Sequence, residues 1–325
     1  MKRIQYFLVL TVLATCVLGC KVEEKKSYTK LQGRVFGTTY NIIYKSNVNY
    51  QEPIDELFEA FNNSLSAYIP NSIISKVNEN DTTVVVDAYF IEAYDKANRI
   101  YRETDGYFDP TIGKLIDAYG FGSGEEKKNL SKEEVDSLMN LKGLEKIKII
   151  DNKVEKDPVI AYNVNAFAKG LGVDVIGRFI EEKGIKDYLV EIGGEIRARG
   201  NSPRDTFWKV AIDDPNTDGS RSQSRTIELN NQSMATSGNY RKFKLNANGE
   251  KIVHTVNPKT GLAQESNLLS VSVLLKGDCA DVDAYATAFL AMGLEETKEF
   301  VKNRPDLKVI LLFADEIGQI QEFRN

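Results

Sequence analysis

The sequence predicts an α+β fold: mixed, largely antiparallel sheets with helices packed on them. Three observations carry that prediction. Helix-like and strand-like segments occur in a mixed order, not in the repeated strand–helix alternation of a doubly wound sheet. Several short strand-like segments between residues 187 and 244 follow one strong helix directly, which suits antiparallel neighbours joined by turns. With 42% hydrophobic and 10% aromatic residues, the chain can bury a substantial core. No linker, low-complexity tract or internal repeat divides residues 32–325, so they read as one domain.

The elements follow from local pattern. Residues 34–45 alternate well enough to be a strand, and Gly37-Thr38-Thr39 inside it suggests a close backbone approach. Ile54, Leu57, Phe58 and Phe61 recur at helical spacing over residues 53–65, until Tyr68-Ile69-Pro70-Asn71-Ser72 breaks the pattern. Residues 87–104 form a second amphipathic helix and residues 131–139 a short one. Residues 147–150 and 153–156 read as a small hairpin. Residues 168–183 are a strong helix ended by Gly184. Strands are expected at 187–192, 196–200, 208–212, 225–229, 241–244 and 268–275, helices at 278–291 and 295–303, and a closing strand at 307–313.

The N-terminus reads as targeting, not fold. Lys2 and Arg3 precede an apolar run over residues 4–18 that is too short for a membrane span. Val17-Leu18-Gly19-Cys20 resembles a lipobox, which makes residues 1–19 a lipoprotein signal peptide and Cys20 the lipidation site. An ordinary signal peptide with a chance cysteine is the alternative. Residues 20–31 are then the lipidated N-terminus and a polar tether. The expected product is an exported lipoprotein, anchored to a membrane through its lipid and facing the periplasm. Its net charge moves from −5 to −7 as Lys2 and Arg3 leave. That acidic balance excludes an electrostatic nucleic-acid binder. Three cysteines are too few for a disulfide scaffold, and one histidine excludes a His-rich metal centre.

Several polar and glycine-bearing segments exceed what packing requires. Thr104-Asp105-Gly106-Tyr107-Phe108-Asp109-Pro110-Thr111 also fits an ordinary turn. Asn163-Val164-Asn165-Ala166-Phe167-Ala168-Lys169-Gly170 runs into a helix, where backbone N–H groups and a lysine can hold an anion, or simply cap the helix. It is not a phosphate loop of the G-x-x-x-x-G-K-[ST] kind. In Glu191-Ile192-Gly193-Gly194-Glu195-Ile196, paired glycines within an apolar strand suggest a bulge or a ligand contact. His254 stands three residues before Asn257-Pro258-Lys259-Thr260-Gly261, and a lone histidine is more often structural than catalytic. Asp283 and Thr287, at i and i+4, share one helical face. A carboxylate and a hydroxyl suit a hard cation such as Mg²⁺, although the pair alone fits a solvated acidic face better. Asp278 is expected to cap that helix, with Asp281 pointing away from the pair.

Taken in order, these segments, together with Gly37-Thr38-Thr39-Tyr40 and Ser237-Gly238-Asn239-Tyr240, resemble the FAD:protein FMN transferase family, the ApbE-like flavin transferases. The resemblance spans nearly all of the chain from Gln32. It implies a T-fold-like body that uses FAD as substrate with Mg²⁺ at the pyrophosphate. It also implies transfer of the FMN half to a Thr or Ser hydroxyl of an exported acceptor flavoprotein, releasing AMP. By matching positions, it assigns the metal to Asp283, Thr287 and the Ala166 carbonyl. It assigns the FAD site to Gly37, Tyr68, Asp109, Lys169, Gly193, Gly194, Ser237, His254 and Thr255, and the chemistry of transfer to His254. Three positions depart from the common pattern: Asn163 and Asn257 stand where relatives often have Asp, and Phe36 where many have Met. Two alternatives use the same residues or fewer, a Mg²⁺-dependent FAD pyrophosphatase and a non-catalytic FAD-binding lipoprotein.

Overall fold

The computed structural model describes residues 27–122, 124–127, 130–213, 223–239, 243–245, 251–263 and 266–325. The leader and Cys20 lie outside the described residues. β1 (Tyr28–Val35) and β2 (Thr38–Lys45) form an antiparallel hairpin that turns at Phe36-Gly37. The single strand expected over residues 34–45 is thereby corrected, because Phe36 at φ 51° and Gly37 at φ 74° reverse the chain. β1 begins at Tyr28, so residues 28–31 belong to the sheet and not to the tether.

α1 (Gln51–Leu65) buries Ile54, Phe58, Phe61 and Leu65, a stripe along one face. α2 (Ile73–Asn78) is too short to show in the sequence pattern; Ser72 caps it. α3 (Ala88–Glu103) starts at Asp87, whose carboxylate accepts the Phe90 N–H at 2.9 Å. α4 (Gly113–Ala118) and α5 (Lys132–Met139) come next, the latter opened by a reciprocal Ser131–Glu134 capping box. β3 (Ile147–Ile150) and β4 (Lys153–Lys156) pair as their spacing predicts. Then come α6 (Ala168–Glu182), β5 (Tyr188–Ile192), β6 (Glu195–Arg199), β7 (Trp208–Asp213), β8 (Gln223–Leu229), β9 (Ser233–Gly238), β10 (Phe243–Leu245), β11 (Lys251–Val253), β12 (Leu268–Leu275), α7 (Cys279–Met292), α8 (Leu294–Lys302), β13 (Lys308–Ala314) and β14 (Ile320–Arg324).

Eight strands make the main sheet in the order β1-β2-β5-β6-β9-β12-β13-β14, antiparallel at every pairing. The α+β, antiparallel expectation therefore holds. Further readings change, and the strand expected to close the chain is followed by β14 at the sheet's edge. Gly193 and Gly194, at φ 61° and 103°, form the turn between β5 and β6 and not a bulge inside one strand. β9 is an interior strand where none is expected, its small, polar sequence hiding it. One face of the sheet carries the main core with α6 and α7; the other is covered by the β7–β8 hairpin through Trp208, Ile212 and Leu229. A separate small cluster joins Ile112, Leu115, Val135, Val256 and Ala263.

The junction of α6 and α7 organises the main layer. Gly170 lies so close to α7 that a Cβ there would stand 2.5 Å from the Cys279 carbonyl oxygen and 2.8 Å from the Ala280 backbone. One turn on, the fully buried Asp174 carboxylate accepts the N–H groups of Cys279 and Ala280, each at 2.8 Å, and pairs with Arg197 at 2.8 Å. Burial pushes its carboxyl up to about 6, with Arg197 and the two N–H groups opposing. Asp278 occupies the N-cap position, but the expected cap is corrected: its carboxylate reaches Lys96 at 2.7 Å and Arg197 at 2.9 Å instead. Asp174→Asn should lower the unfolding free energy by about 3 kcal/mol or more, the scale of breaking a buried charged pair from one side. A urea midpoint equal to wild type would show that other contacts hold this junction.

Candidate active site

The first turn of α6 and the middle of α7 bring the predicted metal residues together. Thr287 Oγ1 donates to the Ala166 carbonyl at 3.2 Å and lies 3.4 Å from Ser237 Oγ at the end of β9. Asp283, one turn earlier on α7, is 3% exposed, and its Oδ2 accepts the Gly170 N–H at 3.0 Å. Asp281 points away, as its helical position predicts, and pairs with Lys96 and Arg99. The donors are a carboxylate, hydroxyls and a carbonyl, all hard oxygens, which fit Mg²⁺. Burial pushes the Cys279 thiol well above its ordinary value, so it stays protonated and unsuited to a metal. Among the described residues, no group of three or more His, Cys, Asp or Glu side chains could hold a metal ion.

Beside this oxygen set stands a charge cluster. Lys169, 32% exposed, lies 3.1 Å from Glu195 Oε2 and 3.8 Å from Asp283 Oδ2. Burial works against its ammonium, but Asp283 and Glu195 outweigh that and hold its pKa above the usual lysine range. Burial raises both acids, with Lys169 opposing, and pushes Glu195 up to about 8. Two carboxyl groups thus share one ammonium. Glu195 is absent from the residues the sequence singles out, although it directly follows the glycine pair; only the fold shows that it turns inward.

Glycine turns form the rim. Gly193 donates its N–H to the Thr39 carbonyl at 3.0 Å, and a Cβ on it would meet Thr38 at 2.7 Å and Lys169 Cδ at 3.3 Å. Gly194 donates to Glu191 at 2.8 Å and, like Gly37 at the β1–β2 tip, has open space where a side chain would be. Tyr68, in the turn before α2, is 64% exposed and contacts Asn165 through its hydroxyl at 3.5 Å, on the loop that carries Ala166. Asp109 is held within its own loop. Its carboxylate is fully covered, accepts from Thr111 N–H and Oγ1 at 2.8 and 2.5 Å, and lies 3.3 Å from Lys142.

His254 follows β11 and meets Phe121 edge-on, with ring centroids 6.3 Å apart. Thr255 beside it is half-buried, and Val256 anchors the segment in the small cluster. Several ties join this loop to the rest, and in one the Tyr119 hydroxyl donates to the Gly261 carbonyl at 3.0 Å. Asn257 Nδ2 donates to the Ala291 carbonyl, one turn beyond Thr287 on α7, at 3.0 Å. Lys259 pairs with Asp105 at 2.8 Å and lies over the Tyr107 ring. The histidine loop and the Asp105–Asp109 segment are thus fastened to each other and to α7.

Comparison with known proteins agrees with this architecture. The FAD:protein FMN transferase of Vibrio cholerae is 32% identical over 95% of this chain and 94% of its own length. That of Haemophilus influenzae is 29% identical over 98% and 95%. The solved flavin transferase ApbE from Vibrio cholerae superposes with a TM-score of 0.81 at 30% identity, covering 92% of this chain and 97% of that one. The sequence model of the ApbE family matches residues 36–311, and the chain belongs to that family.

Proposed function

We propose that this protein is an FAD:protein FMN transferase that moves the FMN half of FAD onto a Thr or Ser hydroxyl of an acceptor flavoprotein and releases AMP. The observation that carries this reading is the meeting of Thr287 Oγ1 with the Ala166 carbonyl beside Asp283 and Lys169, in a chain of the ApbE family. FAD already contains an activated phosphoanhydride, so the protein's task is positioning and charge neutralisation. The new bond joins the acceptor oxygen to the FMN phosphorus; the bond that breaks links that phosphorus to the AMP oxygen. Asp283, Thr287 and Ala166 would hold Mg²⁺, which when bound neutralises charge on the pyrophosphate oxygens.

The chain's own groups supply the rest. Lys169 adds a fixed positive charge beside the pyrophosphate. The glycine turns at Gly37 and Gly193-Gly194 let backbone approach the ligand without side-chain obstruction. The exposed Tyr68 ring offers a face for flavin stacking. His254 takes the acceptor hydroxyl's proton, a role open only to neutral imidazole, so transfer slows on acidification. Cys20 carries the lipid that keeps the folded body at the membrane surface in the exported compartment.

Four experiments check this reading. Incubation with FAD, Mg²⁺ and an exported flavoprotein, read by mass spectrometry, should give an FMN-modified acceptor and AMP. AMP without acceptor would mean a pyrophosphatase, and intact FAD a carrier. In that assay Asp283→Ala should abolish Mg²⁺-dependent turnover while the fold survives, because Mg²⁺ has few protein ligands to spare; normal turnover at ordinary Mg²⁺ would refute the metal assignment.

His254→Ala should bind FAD and melt as wild type does, yet transfer FMN roughly 10²–10⁴-fold more slowly, the usual scale for losing a general base. Weakened FAD affinity together with a lower melting temperature would indicate a structural role instead. Cys20→Ser should leave the purified body's catalysis unchanged and remove the acyl mass from the N-terminal peptide. An unmodified Cys20 in the mature wild-type protein would refute the anchor.

A further inference from the structure

Glu195 takes no part in the chemistry above, yet it is 3% exposed at the first position of β6. Its Oε2 makes no aligned hydrogen bond and lies 3.1 Å from Lys169 Nζ. The same ammonium stands farther, 3.8 Å, from Asp283 Oδ2. These two are the carboxylates within ion-pair distance of Lys169 among the described residues. The lysine's stem passes the Gly193 turn, where an added Cβ would stand 3.3 Å from Lys169 Cδ.

Charge governs how these three groups share the site. An ammonium at a largely desolvated site needs a carboxylate partner, and losing one is costly. A cation that occupies Asp283 withdraws that carboxylate from Lys169 and places a like charge beside it. Glu195 is then the remaining compensating group. We infer that Glu195 is a positioning residue that holds Lys169 off Asp283, so that a divalent cation and the lysine can occupy the pyrophosphate site together. The inference rests on the reading of Asp283, Thr287 and Ala166 as the metal site. Without Glu195, Asp283 becomes the ammonium's one partner, and Mg²⁺ has to displace it.

Calorimetric titration of the metal-stripped protein with Mg²⁺ tests this, with the Mg²⁺-induced rise in melting temperature as a second readout. Glu195→Gln, nearly isosteric, should weaken Mg²⁺ binding about ten- to a hundredfold, the scale of losing a group that supports a metal ligand. Adding Lys169→Met removes the competitor and should restore affinity to at least the wild-type value. A merely structural Glu195 lowers the melting temperature and gives no such recovery. Wild-type affinity in Glu195→Gln, or no recovery in the double variant, overturns the inference. If Glu195→Gln does not fold, Lys169→Met alone decides: affinity equal to or tighter than wild type supports the inference, and weaker affinity overturns it. Asp283→Ala separates the two readings. Mg²⁺ binding that survives it overturns the metal site itself, whereas its loss there beside wild-type affinity in Glu195→Gln overturns only the role of Glu195.

Discussion

The Asp174 carboxylate is the interaction on which the rest of this structure depends. Buried on α6, it caps α7 from outside that helix by accepting the Cys279 and Ala280 N–H groups. Those N–H groups are orphans of the first turn, and burial would make them costly if left unpaired. By meeting them from a neighbouring helix, Asp174 fixes where α7 begins relative to α6. Gly170 allows the close approach that this requires. Arg197, from β6, returns the charge and ties both helices to the sheet. Three elements are thereby locked around one anion, so Asp283 reaches the first turn of α6 and Thr287 the loop before it.

That lock explains how distant segments form one site. The helix pair presents Ala166, Lys169 and Gly170 on one side and Asp283 and Thr287 on the other. The sheet adds its own turns, because β2, β5, β6 and β9 are neighbours and bring Thr38, the Gly193-Gly194 turn and Ser237 to the same end. Hard oxygen donors, one lysine and uncluttered glycine backbone are what a pyrophosphate-bearing substrate demands. The histidine loop is held differently, through its own small apolar cluster and through Asn257 to the far end of α7. The Asp283–Thr287 pair and His254 therefore sit on separate supports joined by one helix.

The three departures from the family pattern have local structural roles. Asn163 accepts the Asn165 N–H at 2.8 Å and so shapes the loop ahead of Ala166. Asn257 accepts from Lys259 and Thr260 while its amide donates to Ala291, a donation no carboxylate could make when ionised. Phe36 packs its ring against Phe58 and Phe61, and a Cβ on Gly172 would stand 2.5 Å from it. Each substitution is thus absorbed by hydrogen bonding or packing.

By itself the sequence determined the α+β class, most helices and the Asp283–Thr287 pairing, because each depends on spacing within one segment. The period of an amphipathic helix and the i, i+4 relation survive any tertiary arrangement. It also carried the order of motifs that identifies the family, since that order is a property of the chain. What it left undecided depends on partners far along the chain. β9 lacks the branched apolar alternation of a strand and became one through pairing with β6 and β12. Asp174, a charge inside the apolar run Leu171-Gly172-Val173-Asp174-Val175-Ile176, carried a signal of buried function, but its partners stand 23 and more residues away. Asp109 is held by Thr111 and Lys142, and Glu195, just ahead of the strand expected from residue 196, faces Lys169. The direction in which a carboxylate points is set by which opposite charge and which N–H the fold brings within about 3 Å, and tertiary structure alone supplies that.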